Sequence, residues 1–130
     1  GTNNFAQGYM ALYCNTTGCN NTAIGWCALK YNNVGNNNVA TGHRSLYSNT
    51  TGINNIAQGY KALFGNTTGC NNIAVSCNSL SCNTIGCNNT AIGYEAAGAA
   101  GSASEVTAIG FRALQLNVSF GFAVSTLQVA

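Results

Sequence analysis

Charged residues are scarce in this chain and proline is absent, and both features limit what it can be. Charged side chains make up 5% of its 130 residues, against about a quarter in an ordinary globular domain. With a net charge of +2 and no basic stripe, it cannot neutralise a series of phosphates, so we expect no nucleic-acid binding. Because proline is absent, no backbone N–H is lost from a continuous hydrogen-bonded ladder.

Residues that carry acid–base or nucleophilic chemistry are equally few. The only carboxylates are Glu95 and Glu105, ten residues apart, and the only histidine is His43. Paired carboxylates must face one cleft, and a Cys–His nucleophile needs a further group to orient the imidazole. No CxxC spacing occurs either, which argues against zinc. The sequence therefore predicts that the protein is not an enzyme and has no catalytic residue, metal or cofactor.

No run of residues is long and apolar enough to span a bilayer as a helix, so we expect no membrane span. No signal peptide precedes Gly1, and the chain lacks an initiator methionine. We interpret it as a fragment or a processed product.

What the chain has instead is a repeat of seventeen residues. Glycine recurs at that spacing without a slip, at Gly1, Gly18, Gly35, Gly52, Gly69 and Gly86. We number the positions of each repeat from this glycine, so that position 6 of the second copy is Ala23. Position 6 is alanine in seven copies, position 12 is leucine in six, and positions 3 and 15 are asparagine in six. This period suits one coil of a solenoid built from short strands and tight turns.

We therefore predict an all-β fold, a parallel β-solenoid (β-roll) of about seven 17-residue coils over residues 1–117. Coils stacked about 4.8 Å apart make a rod roughly 34 Å long. Asparagine above asparagine forms ladders of side-chain amides, alanine faces a narrow interior, and leucine fills its wider end. The predicted coils begin at Gly1, Gly18, Gly35, Gly52, Gly69, Gly86 and Ala103. Residues 118–130 depart from the pattern and are interpreted as a degenerate C-terminal cap or connector.

Strand alternation predicts an outer face. If the alanine at position 6 points inward, its neighbours at positions 5 and 7 point outward. This face is flat, β-branched and half apolar, and such a stripe usually contacts a partner. Its predicted contact residues are Thr22, Ile24, Val39, Thr41, Ile56, Ile73, Val75, Thr90, Ile92, Thr107 and Ile109. Position 9 adds an aromatic column that either closes a corner of the coil or belongs to a subunit interface or a carbohydrate-binding strip.

Seven cysteines are many for this length. The segments CNTTGC and CNTIGC place Cys14 with Cys19, and Cys82 with Cys87, across equivalent turns. We predict a disulfide across each turn, which would indicate an oxidising compartment; the alternative is free thiols that act as small apolar side chains. N-x-S/T sequons at the same corner make Asn15, Asn49 and Asn66 candidates for N-glycosylation.

The segments NTAIG and NNIA resemble the head repeats of trimeric autotransporter adhesins of the YadA type, and related repeats of phage tail fibres. The resemblance covers positions 3 to 8 of the repeats in residues 1–110. It implies a left-handed parallel β-roll whose chains associate three side by side, and attachment or spacing at a cell or virion surface. The chain departs from the adhesin head in its longer period, its many cysteines, and its lack of a neck or coiled-coil heptads.

These observations predict a non-catalytic structural and adhesive rod of an extracellular surface fibre or adhesin. Its partners would be copies of itself, as a trimer or filament, and a carbohydrate or cell-surface ligand. One alternative is an extracellular filament subunit that stacks end to end, because solenoid ends are open β edges. The other is an ice-binding solenoid, because threonine arrays on a flat β face suit that role.

Overall fold

A computed structural model describes residues 1–115, which form one sheet of seven short parallel strands. The strands are β1 (Phe5–Gln7), β2 (Thr22–Ile24), β3 (Val39–Thr41), β4 (Ile56–Gln58), β5 (Ile73–Val75), β6 (Thr90–Ile92) and β7 (Thr107–Ile109). They pair in chain order from β1 to β7.

The offset between paired strand residues equals the length of the sequence repeat. Each strand residue pairs with the one seventeen positions on, as Ala23 does with Ala40 and Ala40 with Ala57. This confirms the predicted all-β parallel solenoid with 17-residue coils. The seventh coil is described as far as Gln115, so Asn117 and the proposed cap or connector at 118–130 lie outside the described residues. In residues 1–115 no helix is long and apolar enough to cross a membrane.

The core is a narrow column of small side chains with one leucine per coil. The position-6 alanines from Ala23 to Ala108 are fully buried, as are Leu29, Leu46, Leu63 and Leu80 at position 12. These leucines adopt positive φ, for example 48° at Leu46, a conformation that costs about 1–2 kcal/mol. Burying a leucine side chain contributes about 1.5–3 kcal/mol, which offsets that strain. The predicted inward placement of alanine and leucine is confirmed.

Two buried asparagine ladders run along the rod. One occupies position 15, where Asn49 Nδ2 donates to Asn32 Oδ1 at 2.7 Å and to Gly52 O at 3.1 Å. The other occupies position 4, where Asn55 Nδ2 donates to Asn38 Oδ1 at 3.1 Å and to Gly69 O at 2.8 Å. Each amide therefore links the coil before it to the coil after it.

The sequence repeat singled out asparagine at positions 3 and 15, and the second buried ladder lies at position 4 instead of position 3. Position 3 is on the surface, and Asn54 there adopts φ of 57°, a left-handed conformation that asparagine tolerates. Exposed bonds such as Asn54 Nδ2 to Asn71 Oδ1, at 3.2 Å, link some of these side chains. The buried amide belongs to the next residue along, because alternation about the inward alanine points position 4 inward.

Candidate interaction surfaces

The outer face is the row of position-5 and position-7 side chains along β1 to β7. The structure places all eleven predicted contact residues on these strands, either exposed or half-buried, beside alanines that are fully buried. The larger side chains remain open to solvent: Ile56 is 41% exposed and Ile109 is 45% exposed. A row of β-branched residues therefore extends from β2 to β7, while β1 carries Phe5 and Gln7.

Apolar residues on this face shift from position 5 to position 7 along the rod. At position 5 they occupy β3 to β5, as Val39, Ile56 and Ile73, and at position 7 they occupy β5 to β7, as Val75, Ile92 and Ile109. Phe5 and Ile24 are the other apolar residues of the face, and the remaining positions are threonine or glutamine.

The first threonines of the NTT corner bond from coil to coil. Thr50 Oγ1 donates to Thr67 O at 3.1 Å, and Thr67 Oγ1 donates to Thr84 O at 3.1 Å. The second threonines, such as Thr51 and Thr68, are exposed, but Val34 and Ile85 interrupt their row. The corner therefore does not present the regular threonine face that the ice-binding alternative needs.

The aromatic column consists of the position-9 side chains Tyr9, Trp26, His43, Tyr60, Tyr94 and Phe111. Neighbouring rings stack almost parallel: centroids lie 4.8 Å apart for Trp26 and His43, and 5.3 Å for His43 and Tyr60. Both faces of His43 are thus covered by aromatic neighbours. Inner members offer only their edges to solvent, so a ligand that stacks on aromatic faces cannot use the column as a continuous platform.

A second aromatic row lies beside the column, and cations pack between the two. Tyr47 and Phe64 stack at 5.1 Å. Lys61 Nζ lies 5.3 Å from the Tyr60 ring centroid and 5.4 Å from that of Phe64, while Arg44 Cζ lies 4.9 Å from that of Trp26. Cation–π attraction therefore holds these charges against the rings.

The aromatic column is interrupted in the fifth coil, residues 69–85, where Cys77 takes the place of an aromatic residue. The second row ends in the same coil, because Ser81 follows Phe64. Beside Ser81 lies a cavity of about 460 Å³, which we call the notch, lined by Lys61, Phe64, Asn78, Ser81, Glu95 and Gln115 among others.

Glu95 lies in one wall of the notch and accepts two hydrogen bonds. One oxygen, Oε2, accepts from Arg112 Nε at 2.9 Å and from Gln115 Nε2 at 2.9 Å. The adjacent Tyr94 has a raised pKa, because its hydroxyl is hydrogen-bonded to Glu95 and the carboxylate charge disfavours the phenolate. Glu95 thus lies against Arg112 rather than beside Glu105, ten residues further along.

The cysteine prediction is corrected: Cys14, Cys19, Cys82 and Cys87 are all free thiols, as are the other three. The thiol groups at position 2 are directed along the corner and toward the preceding coil. Cys19 Sγ donates to Thr17 O at 3.2 Å and accepts from Thr2 N at 3.3 Å, and the latter bond lowers the pKa of Cys19. Cys87 Sγ likewise accepts from Cys70 N at 3.1 Å. Without disulfides, the cysteines give no support for an oxidising compartment.

The glycosylation candidates are also corrected. Asn49 and Asn66 are fully buried, and Asn15 is half-buried. All three belong to the position-15 ladder, where for example Asn66 Nδ2 donates to Asn49 Oδ1 at 2.8 Å. A glycan would have to replace a hydrogen atom on that nitrogen. Among sequon asparagines, Asn20 and Asn88 are the ones that lie exposed in the described residues.

Residues 1–115 contain no group of three or more histidine, cysteine, aspartate or glutamate side chains that could hold a metal ion. Comparison with protein-family models, with curated proteins and with solved structures finds no match to this chain.

Proposed function

We propose that this protein is a non-catalytic structural and adhesive rod of an extracellular surface fibre, at a cell or virion surface, and that its outer face is the subunit contact. One observation carries the proposal: β2 to β7, in unbroken register, present a face that has an exposed or half-buried β-branched residue on every strand and no charged residue. Covering such a stripe of water-exposed apolar side chains with another surface is favourable, because it removes apolar area from water.

The size of the outer face bears on the kind of assembly. Strands of three residues make a stripe roughly 10 Å wide, and seven coils make it roughly 34 Å long, so its projected area is about 340 Å². That is within the range of functional patches on monomers, but below the roughly 800 Å² per partner of a stable binary interface. The outer face alone is therefore too small for a stable interface, so a subunit contact must also include surface beside it.

The molar mass in solution, measured by light scattering without reductant, tests the proposal. A discrete mass of three chains supports the side-by-side fibre. Long polymers instead support the alternative, a filament subunit that stacks end to end through the open β edges. A monomer at all concentrations contradicts both forms of self-association.

A further inference from the structure

We propose that Cys70 and Cys87 form a thiol-oxidation site, at which a small disulfide such as oxidised glutathione links the fifth coil covalently to the sixth. This pair joins two coils, whereas the disulfides predicted from the sequence lay within one turn. In the structure both thiols are free. The proposal concerns a single chain, so it does not depend on whether rods assemble through the outer face.

The first argument is that these two cysteines occupy the same position of adjacent coils. Both stand at position 2, seventeen residues apart, so one strand spacing of about 4.8 Å separates their backbones. Disulfides join residues whose Cα atoms lie about 4.4–6.8 Å apart. No other two cysteines of the sequence share a position in adjacent coils.

The second argument is the direction of the two thiols. Cys87 Sγ accepts a hydrogen bond from Cys70 N at 3.1 Å, so this sulfur lies against the backbone of the residue that it would join. Cys70 Sγ donates instead to Thr68 O, at 3.3 Å. Rotation of this one side chain about its Cα–Cβ bond directs its sulfur toward Cys87 and gives up one weak hydrogen bond. Both cysteines are half-buried, so a small oxidant can reach them.

The third argument is that the fifth and sixth coils share fewer side-chain contacts than earlier coils do. The position-15 ladder ends at Asn83, because Ala100 stands at that position of the sixth coil. Ala97 likewise takes the place of the leucine at position 12. A disulfide restricts the unfolded chain, and here it would hold the two coils together where these contacts stop.

The reaction is thiol–disulfide exchange. The thiolate of one cysteine attacks a sulfur of oxidised glutathione, whose S–S bond breaks, and one glutathione leaves and takes up a proton. The thiolate of the second cysteine then attacks the mixed disulfide, which forms the protein S–S bond and releases the other glutathione with a second proton. Two electrons pass from the protein thiols to the oxidant, which is reduced to two thiols.

The test is peptide mapping by mass spectrometry of the intact chain, equilibrated with oxidised glutathione and then alkylated to stop exchange. Chymotrypsin cleavage after Leu80 places Cys70 and Cys87 on different peptides, and fragment ions locate the linked residues. We expect one linked pair of peptides, which excess reduced glutathione separates. The melting temperature, measured by circular dichroism, should be higher in the linked form because the cross-link restricts the unfolded chain.

Cys19 is the matched internal control. It also stands at position 2, but Thr2 and Asn36 occupy that position in the coils on either side, so it should keep glutathione as a mixed disulfide. Cys87→Ser should give Cys70 the same outcome and abolish the link. Serine preserves the acceptor for the backbone N–H of the preceding coil, as Ser104 Oγ accepts from Cys87 N at 2.9 Å, so this variant should fold.

A link between Cys70 and Cys87 that Cys87→Ser abolishes supports the site, provided that light scattering shows no increase in mass. Four results overturn it: both thiols stay unmodified, both carry glutathione as Cys19 does, Cys87 is linked to Cys82 instead, or the link joins two chains. None of these results bears on the outer face, which is tested by the mass of the untreated protein.

Discussion

At the scale of single residues, the buried asparagines decide whether one coil can sit on another. A side-chain amide donates and accepts at once, so a column of identical residues satisfies itself without any complementary partner. Aspartate has the same shape but no donor, and stacked carboxylates would repel one another. A chain with almost no charge can therefore bury polar side chains in every coil and leave nearly all of them hydrogen-bonded.

The first prediction concerns the position-4 ladder. In Asn55→Ala, Asn72 N loses Oδ1 at 3.0 Å, its one hydrogen-bond partner, whereas Gly69 O keeps Asn66 Nδ2 at 3.0 Å. A buried polar group without a partner costs about 1–3 kcal/mol, so the variant should lower the free energy of unfolding by about that amount. Chemical denaturation monitored by circular dichroism measures the change.

Its control is the neighbouring residue. Asn54→Gly keeps a residue that tolerates the left-handed conformation and removes only an exposed amide, so its effect should stay below about 1 kcal/mol. Equal losses from the two variants would show that burial of the position-4 amide does not matter.

A second prediction uses the end of the position-15 ladder. Asn83 Oδ1 is buried without a hydrogen-bond partner, because the residue seventeen positions later is Ala100. Ala100→Asn extends the ladder by one amide and should raise the free energy of unfolding by about 1 kcal/mol. The melting temperature reports the gain. A fall would mean that the backbone near Gly101, with φ of 61°, does not follow the regular coil.

At the scale of one coil, the corner after each strand requires a particular backbone. Gly42 at position 8 has φ of 129°, and a Cβ there would stand 2.7 Å from the carbonyl oxygen of Gly59. The clash is with backbone of the next coil, which cannot move without shifting the register. Position 8 therefore limits how closely coils can stack.

Ser76 provides the third prediction, because it is the one described residue that breaks this rule. Ser76→Gly removes a side chain from a strained φ of 105° and should raise stability by about 1 kcal/mol. The opposite change, Gly42→Ala, should lower it by several times that amount. Thermal melts of the two variants and the original chain check the signs, and stabilisation by Gly42→Ala would refute the steric account.

The regular part of the coil could be predicted from the sequence, because the same residue types recur at fixed positions. Ala40 and Leu46 were assigned to the interior correctly, since only a stacked structure demands such repetition. The repeat by itself did not distinguish a surface asparagine such as Asn54 from a buried one such as Asn55, because both positions are asparagine in six copies. Counting backward in steps of two from Ala57 would have identified Asn55 as the inward residue.

The free thiols and the notch were harder to foresee. Two cysteines near one turn favour a disulfide only if their side chains converge, and the thiol of Cys19 instead bonds along the corner. The notch borders Ser81, at a position where Tyr47 and Phe64 of the two preceding coils carry rings. A search for what recurs passes over such substitutions, because they are departures from the repeat.

At the scale of the whole molecule, the scarcity of charge leaves shape and apolar contact to direct assembly. Ile56 lies near the middle of the outer face, and Ile56→Lys places a charge where a partner would exclude water. We expect this fourth variant to remain folded and to shift the light-scattering mass from the oligomer to the monomer.

Its control places the same charge elsewhere on the same coil. Thr68 is exposed at the corner, away from the strand, so Thr68→Lys should leave the oligomer unchanged. Circular dichroism of both variants confirms that each is folded. If both dissociate, net charge rather than the outer face controls association; if neither does, another surface makes the contact.

The unvarying register has a consequence for how such a protein changes over generations. Each strand residue pairs with the one seventeen residues further along, so an interior coil has nearly the same surroundings as any other. An in-frame duplication or loss of one whole repeat in the gene therefore creates no new kind of junction. The length of the rod is therefore set by the number of repeats. Recombination can lengthen or shorten the rod while every coil keeps the same contacts.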